Sequence, residues 1–262
     1  MENIPIYHLD AFTDRVFSGN PAAVCLLPHW LDDADLHAIT KENNLPVTAF
    51  LVRENDQFSI RWITPEYELD ICGHGSIATG YVIFNILEPS WQKVNLKSKT
   101  DLIQITRTDD WITLNFPIKA LEKCHSFPLL EHGLGLKPKE VYQHRNERCF
   151  AVYETEEEVK QLKPDIKILQ QLEHRGISVT AKGSKVDYVS RTFYPKKSIS
   201  EDPATGASHC LLAPYWAERL NKTKLHSQQV SSRGGEMLCE CQGDRLLISG
   251  KAVIYMQGMI TR

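Results

Sequence analysis

The chain has 262 residues, 42% apolar and 24% charged, with a net charge of −3, long enough to bury roughly three quarters of its unfolded surface in one large or two medium domains. Charges of both signs are interspersed, so no basic face points to nucleic acid or to an anionic membrane. No apolar run reaches the ~20 residues of a membrane span, and the start Met1-Glu-Asn-Ile-Pro-Ile-Tyr7 has no basic region ahead of an apolar core, so no signal peptide is expected.

In chain order, residues 4–13 alternate and carry aromatic side chains, the pattern of a first strand. Ser18-Gly19-Asn20-Pro21 is a turn signal, and 22–27 reads as the next strand. Helical spacing runs over 30–42 through Leu31, Ala34, Leu36 and Ile39, with Asp32, Asp33 and Asp35 in its first turn. Strands follow at 48–52 and 58–63 around Glu54-Asn-Asp56, and Thr64-Pro65 turns the chain. Next comes Asp70-Ile-Cys72-Gly73-His74-Gly75-Ser76, an acid and a small-residue turn, leading into an apolar, helix-length run that reaches Phe84. Three more strands read at 94–97, 102–106 and 111–116, and 117–122 crosses into a second half with no flexible linker.

The second half echoes the first. Val141-Tyr-Gln-His144, Asn146 and 149–153 parallel Tyr7-His-Leu-Asp10, Asn20 and 23–27, and an acid-rich helical stretch over 156–172 follows. Arg191-Thr-Phe-Tyr-Pro195 matches Arg61-Trp-Ile-Thr-Pro65, and Asp202 stands beyond Arg191 as Asp70 stands beyond Arg61. Closing strands read at 228–232, 237–241, 245–249 and 252–256. A period of roughly 125 residues is a duplication, since solenoid units are far shorter. Each half is expected to be an α+β unit, a curled sheet around one buried helix. The expected domains are 1–117, completed by about 250–262, and 118–250, with the two helix starts facing a shared cleft.

The second helix start is Ser200-Glu201-Asp202-Pro203-Ala204-Thr205-Gly206-Ala207-Ser208-His209, running into an apolar helix through Trp216. Pro203 suits a first turn because its missing N–H has no partner there anyway. Thr205 to Ser208 are too small to wall off the backbone N–H groups, so a positive helix end is offered to an anion. The alternative is a plain Asp N-cap. Glu201 beside Asp202 is expected to share a proton with it. Seven scattered cysteines without a CxxC pair read as reduced thiols in a cytoplasm, and Cys239-Glu-Cys241 lacks the companions of a zinc site.

These motifs resemble the phenazine-biosynthesis PhzF-like family. The resemblance is carried by Asp10-Ala-Phe-Thr, Gly19-Asn20-Pro21-Ala-Ala-Val24, Trp62-Ile-Thr-Pro65, Cys72-Gly73-His74, Glu201-Asp202-Pro203-Ala204-Thr205-Gly206 and Ser249-Gly250-Lys-Ala. It implies a duplicated diaminopimelate epimerase-like fold of two barrel-like α/β domains, each round a central helix, with the active site between them. It also implies a cofactor-independent isomerase or epimerase, often a homodimer, that moves a proton at carbon in a small carboxylate. By position Asp202 is the catalytic acid and His74 the site histidine, with backbone N–H groups around Gly73 and Gly206-Ala207 holding the carboxylate. Two departures stand out. Val47 occupies the position of the family's proton-transferring glutamate, and Gly206-Ala207-Ser208 replaces Gly-Ser-Ala, turning the hydroxyl by about 100°. Both argue against phenazine-type isomerisation itself.

The remaining candidates each carry a bland alternative. His74 suits acid/base work or a structural hydrogen bond. Cys72-Gly73-His74-Gly75 has the shape of the catalytic Cys-Gly-Asn-Gly start in diaminopimelate epimerase, yet Cys72 is also a good space-filler. Asn20, Gly75 and Ser208 are substrate-contact candidates, and the loop from Ser231 to Glu236 either grips a carboxylate or is a hairpin. Arg61 and Arg191 read as strand residues in ion pairs. Beside the isomerase stands a second reading, a small-acid-binding protein that kept the cleft without the glutamate.

Overall fold

The computed structural model describes residues 2–55, 57–100, 102–145, 147–197 and 200–262; Asp56, read between two strands, and Asn146, matched to Asn20 in the repeat, lie outside them. The chain forms two compact units, one reaching to Asn115 and taking in Ser249–Arg262, the other Phe116–Ile248.

The first unit begins with β1 (Asn3–Ala11) antiparallel to β2 (Asn20–Leu27). Gly19 turns the chain between them at φ +63, where a Cβ would come 2.2 Å from the Ala11 carbonyl oxygen, so the turn requires glycine. Helix α1 (Asp33–Asn43) starts later than its apolar spacing suggests because the Asp32 carboxylate caps the Asp35 N–H. It carries the chain to β3 (Thr48–Glu54), parallel to β2, and β4 (Gln57–Ile63) returns antiparallel. The two-residue β5 (Glu68–Leu69) folds back on the end of β4. Helix α2 (Gly73–Val82) and one π-helical turn, Ile83–Leu87, then cross to β6 (Lys93–Lys97), parallel to β4. A meander of β7 (Leu102–Thr108) and β8 (Trp111–Pro117) follows. Eight of the ten α2 residues are buried. A Cβ on Gly80 would meet Ile112 Cγ2 at 2.7 Å, which shows why this enclosed helix is built from small residues.

The second unit runs β9 (Glu122–Cys124), α3 (Pro128–Leu134), β10 (Glu140–His144) and β11 (Arg148–Val152). The expected helical stretch over 156–172 is two short helices, α4 (Glu156–Gln161) and α5 (Ile166–Leu169). Thr155 and Glu158 close a capping box on the first, Asp165 caps the second, and Pro164 between them prevents a continuous helix. Strand β12 (Gly176–Lys182), absent from the sequence reading, precedes β13 (Tyr188–Phe193) and the two-residue β14 (Glu201–Asp202). Helix α6 (His209–Leu220) crosses to β15 (Lys224–Gln229), and β16 (Gly235–Gln242) and β17 (Arg245–Gly250) follow. Finally β18 (Ala252–Thr261) pairs antiparallel with β1.

The pairing pattern is written twice. In the first unit the order is β18-β1-β2-β3-β4-β6-β7, with β2–β3 and β4–β6 parallel. In the second it is β9-β10-β11-β12-β13-β15-β16, with β11–β12 and β13–β15 parallel. A parallel pair needs a long crossover, so α2 and α6 are the helices that each repeat must insert after its fourth strand. Register corrects one sequence match. Leu69 lies opposite Trp62 as Asp202 lies opposite Thr192, and Glu68 opposite Ile63 as Glu201 opposite Phe193. The counterpart of Asp202 is therefore Leu69 and not Asp70.

Candidate functional site

The start of α2 is built around Cys72, which takes the N-cap position with extended backbone (φ −140, ψ 110) and makes no side-chain capping bond. Its carbonyl ties the turn, accepting from the Ser76 N–H at 2.9 Å and the Ser76 hydroxyl at 2.7 Å. Its sulfur lies 3.6 Å from Nδ1 and 3.9 Å from Nε2 of His74. Gly73 and Gly75 are both buried in this turn, and a Cβ on Gly75 would come 2.9 Å from Trp62 Cδ1 and 3.2 Å from Cys72 Sγ. Glycine there lets the indole and the thiol close on the helix. Cys72, Gly73, His74 and Gly75 thus form one cluster, as their spacing suggested.

The second start differs from expectation. The chain does not enter a helix at Pro203; Gly206–Ser208 make a 3₁₀ turn and α6 begins at His209. The reason is a local network that claims the donors a helix would use. The Thr205 hydroxyl donates to Asp202 Oδ2 at 2.6 Å, and the Thr205 N–H donates to Gln229 Oε1 at 2.9 Å. Gln229, fully buried, donates in turn to the Asp202 carbonyl. The Ser231 hydroxyl donates to the Pro203 carbonyl at 2.6 Å. Gly206 and Ala207 lie in the turn as expected, but the Ser208 hydroxyl donates to the Thr205 carbonyl at 2.8 Å, so it is spent inside the turn rather than shown to a ligand.

The expected proton-sharing pair of Glu201 and Asp202 does not form. Successive strand residues project to opposite faces, and the Glu201 carboxylate is gripped by Arg191 at 2.8 and 2.9 Å. The first unit repeats this clamp, Arg61 holding Glu68 at 2.9 and 2.7 Å and keeping its carboxyl below the usual range through those bonds. Both arginines are therefore structural, as read. The loop from Ser231 to Glu236 is the β15–β16 hairpin, with Gly234 at φ +71. Asn20 is buried as the first residue of β2. Val47 is fully enclosed, its carbonyl accepting the Ala23 N–H at 3.0 Å.

Three residues escaped the sequence reading. Gln229 clamps the Asp202 turn, and nothing in a run such as His-Ser-Gln-Gln marks one amide as structural. Arg148 donates to the Tyr194 hydroxyl at 2.8 Å with its guanidinium 5.3 Å from the centre of that ring. The Tyr194 hydroxyl first, and more weakly the Asp202 carboxylate, favour its charged form. Trp62 supplied a family motif but no role; it packs against Gly75. Among the described residues no group of three or more His, Cys, Asp or Glu is placed to hold a metal ion.

A family model described as phenazine biosynthesis-like protein (PhzC-PhzF) matches residues 9–258. An uncharacterized isomerase of Pseudomonas aeruginosa is 40% identical over 257 residues, covering 98% of each chain. The crystal structure of a PhzF-family phenazine biosynthesis protein from Enterococcus faecalis aligns over 100% of both chains with a TM-score of 0.96 and 41% identity. A hydroxyproline epimerase from Agrobacterium vitis aligns over 98% of this chain and 92% of its own with a TM-score of 0.61 at 12% identity, a likeness of fold alone. The expected duplicated epimerase-like α+β fold is the fold found.

Proposed function

We propose, from the premise that the chain belongs to the phenazine biosynthesis-like family, that it is a cofactor-independent isomerase or epimerase moving a proton at carbon in a small carboxylate-bearing metabolite. The observation that carries this reading is the Asp202 carboxylate, oriented at 2.6 Å by Thr205 in a turn clamped by a buried glutamine. A carboxylate so fixed loses little freedom on meeting a substrate proton, which is what acid/base transfer requires. In this reading Asp202 is the first proton-transferring group, and His74 and Cys72 serve the opposite transfer. Gly73, Gly75, Gly206 and Ala207 are the candidates for binding the substrate carboxylate through their N–H groups, with Asn20 as a further candidate contact. Ser208 contributes backbone only. No helix among the described residues is long and apolar enough to cross a membrane; a homodimer in the cytoplasm completes the reading.

Solvent exchange tests it without knowing the substrate. The protein is incubated in heavy water with amino acids, hydroxy acids and cyclic dienoic acids, and mass shifts are read for wild type and Asp202→Asn. Deuterium entering one acid, and failing to enter with the variant, supports proton transfer at carbon. Val47, apolar and enclosed where a glutamate was expected, favours the binding-protein reading as the competitor. Tight binding of an acid with no exchange in any panel member would replace the isomerase with it.

A further inference from the structure

Trp62 is 1% exposed, and its indole N–H has no hydrogen-bond acceptor among the described residues. A buried donor without an acceptor is costly to keep, and this one lies on the ring edge beside the start of α2. Trp62 Nε1 lies 3.3 Å from the point a Gly75 Cβ would occupy, and Cys72 Sγ lies 3.2 Å from the same point. Indole edge and thiol therefore both border the first helical turn, with His74 Nδ1 3.6 Å from the sulfur.

We infer that Cys72, His74 and Trp62 form a thiol site in which the sulfur ionises and the indole N–H of Trp62 becomes its hydrogen-bond donor. The S–H bond breaks, its proton joins Nδ1 of a His74 imidazole that already carries hydrogen on Nε2, and the electron pair stays on sulfur. Charge is conserved within the pair and no other reactant is needed. The ten-residue helix contributes the positive end of its dipole to the same sulfur. Glu68 is held by Arg61 and Asp70 is exposed, while the His74 ring lies directly against the thiol. Burial pushes the other six thiols up, Cys210 to about 11, Cys239 to about 12, and Cys25, Cys149, Cys124 and Cys241 in the same direction; Cys72, also buried, has the His74 ring 3.6 Å from its sulfur. Trp62 is a positioning residue here, acting through the sulfur. That this thiolate is the base Val47 cannot be rests on the isomerase reading; the ionised site itself does not.

The test is an NMR titration of the full chain carrying ¹³Cβ-cysteine and ¹⁵N-indole tryptophan. The Cys72 signal is identified by its loss in Cys72→Ser, and the His74 ring is followed alongside. The expected midpoint for Cys72 lies below the ordinary value of about 8.5. The Trp62 indole signal should move downfield with that same midpoint and stop moving in Cys72→Ser. Trp62→Phe, which keeps the ring and removes the donor, should raise the midpoint by about one pH unit, a tenfold change in ionisation constant. Should Trp62→Phe fail to fold, the coincidence of the two wild-type midpoints decides alone. An indole signal that stays still while Cys72 titrates, or a midpoint at or above the ordinary value, overturns the site. Full solvent exchange by Cys72→Ser with the coincidence intact would remove the thiolate from the reaction and leave the site standing.

Discussion

His209 shows what burial does to one side chain. Its ring is fully enclosed at the first residue of α6, with the Tyr188 hydroxyl 2.6 Å from Nδ1 and no partner for Nε2 among the described residues. Burial pushes its pKa down to about 3, so the folded chain holds a neutral imidazole. The unfolded chain takes up that proton near 6.5. Stability is therefore whole above about pH 6.5 and is lost as the pH falls toward 3, at a limiting slope of about 1.4 kcal/mol per pH unit. His8 and His174 shift in the same direction for the same reason, so only a difference between chains isolates His209. Urea midpoints taken from pH 7 to 4 should fall less steeply for His209→Asn than for wild type; parallel curves would clear this ring of the effect. At Asp202 the decisive neighbour is Thr205, whose hydroxyl bond to the carboxylate belongs to the class contributing about 1.5–3 kcal/mol. Thr205→Val keeps the shape and should slow solvent exchange into substrate by about tenfold or more, and an unchanged rate would mean that Asp202 needs no such support. Cys72, His74 and Asp202 stood out as candidates in the sequence because titratable groups stood in frames of small residues. Gln229 and Arg148 were not, because an amide or a guanidinium on a strand gains meaning only when register sets it beside another element.

At the scale of elements, most strands could be read from alternation, while helix starts were displaced by polar groups with competing uses. Asp32 delays α1, and the Asp202–Thr205–Gln229 network delays α6 until His209. Hydrogen bonds to a distant strand leave no local periodicity, which is why the sequence placed the second helix start several residues early. Helix α6 also tolerates Pro214 in its interior. Proline has no N–H for the Cys210 carbonyl, and the Lys119 N–H fills that place at 3.1 Å. Gln229→Leu fits the same space but leaves the Thr205 N–H and the Asp202 carbonyl without their partner, a loss of about 2 kcal/mol or more. Urea unfolding should show a lower midpoint at unchanged slope. A change below about 0.5 kcal/mol, ordinary for surface substitutions, would show that the turn stands without its clamp.

For the whole molecule, the duplication was visible as a long period in the sequence, yet the period alone matched Asp70 to Asp202 where register pairs Leu69 with it. Loops of unequal length separate the repeats' strands, and only backbone pairing counts residues correctly across them. The same pairing explains why the last residues of the chain belong to its beginning. Strand β18 faces β1 over nine residue pairs, from Ala252 opposite Ala11 to Thr261 opposite Asn3. Ile260 packs on the core that contains Ile4, Ile6, Phe50 and Ile63. Arg262 pairs with Asp35 and Glu2, and exchanges backbone bonds with Glu2 at 2.8 and 2.9 Å. In the second unit β9 supplies the equivalent edge from within the same stretch of chain. A chain ending at Lys251 therefore loses an edge of the first unit only. Ile4 and Ile6 lose their cover, and each buried aliphatic side chain returned to water forfeits about 1.5–3 kcal/mol. Hydrogen exchange read by mass spectrometry should show protection collapsing across β1 and β2 while β12 and β13 keep theirs. Equal loss in both units would mean that they unfold as one cooperative body. Full retention in β1 would mean that the strand pairing with β18 adds nothing to the first unit's stability.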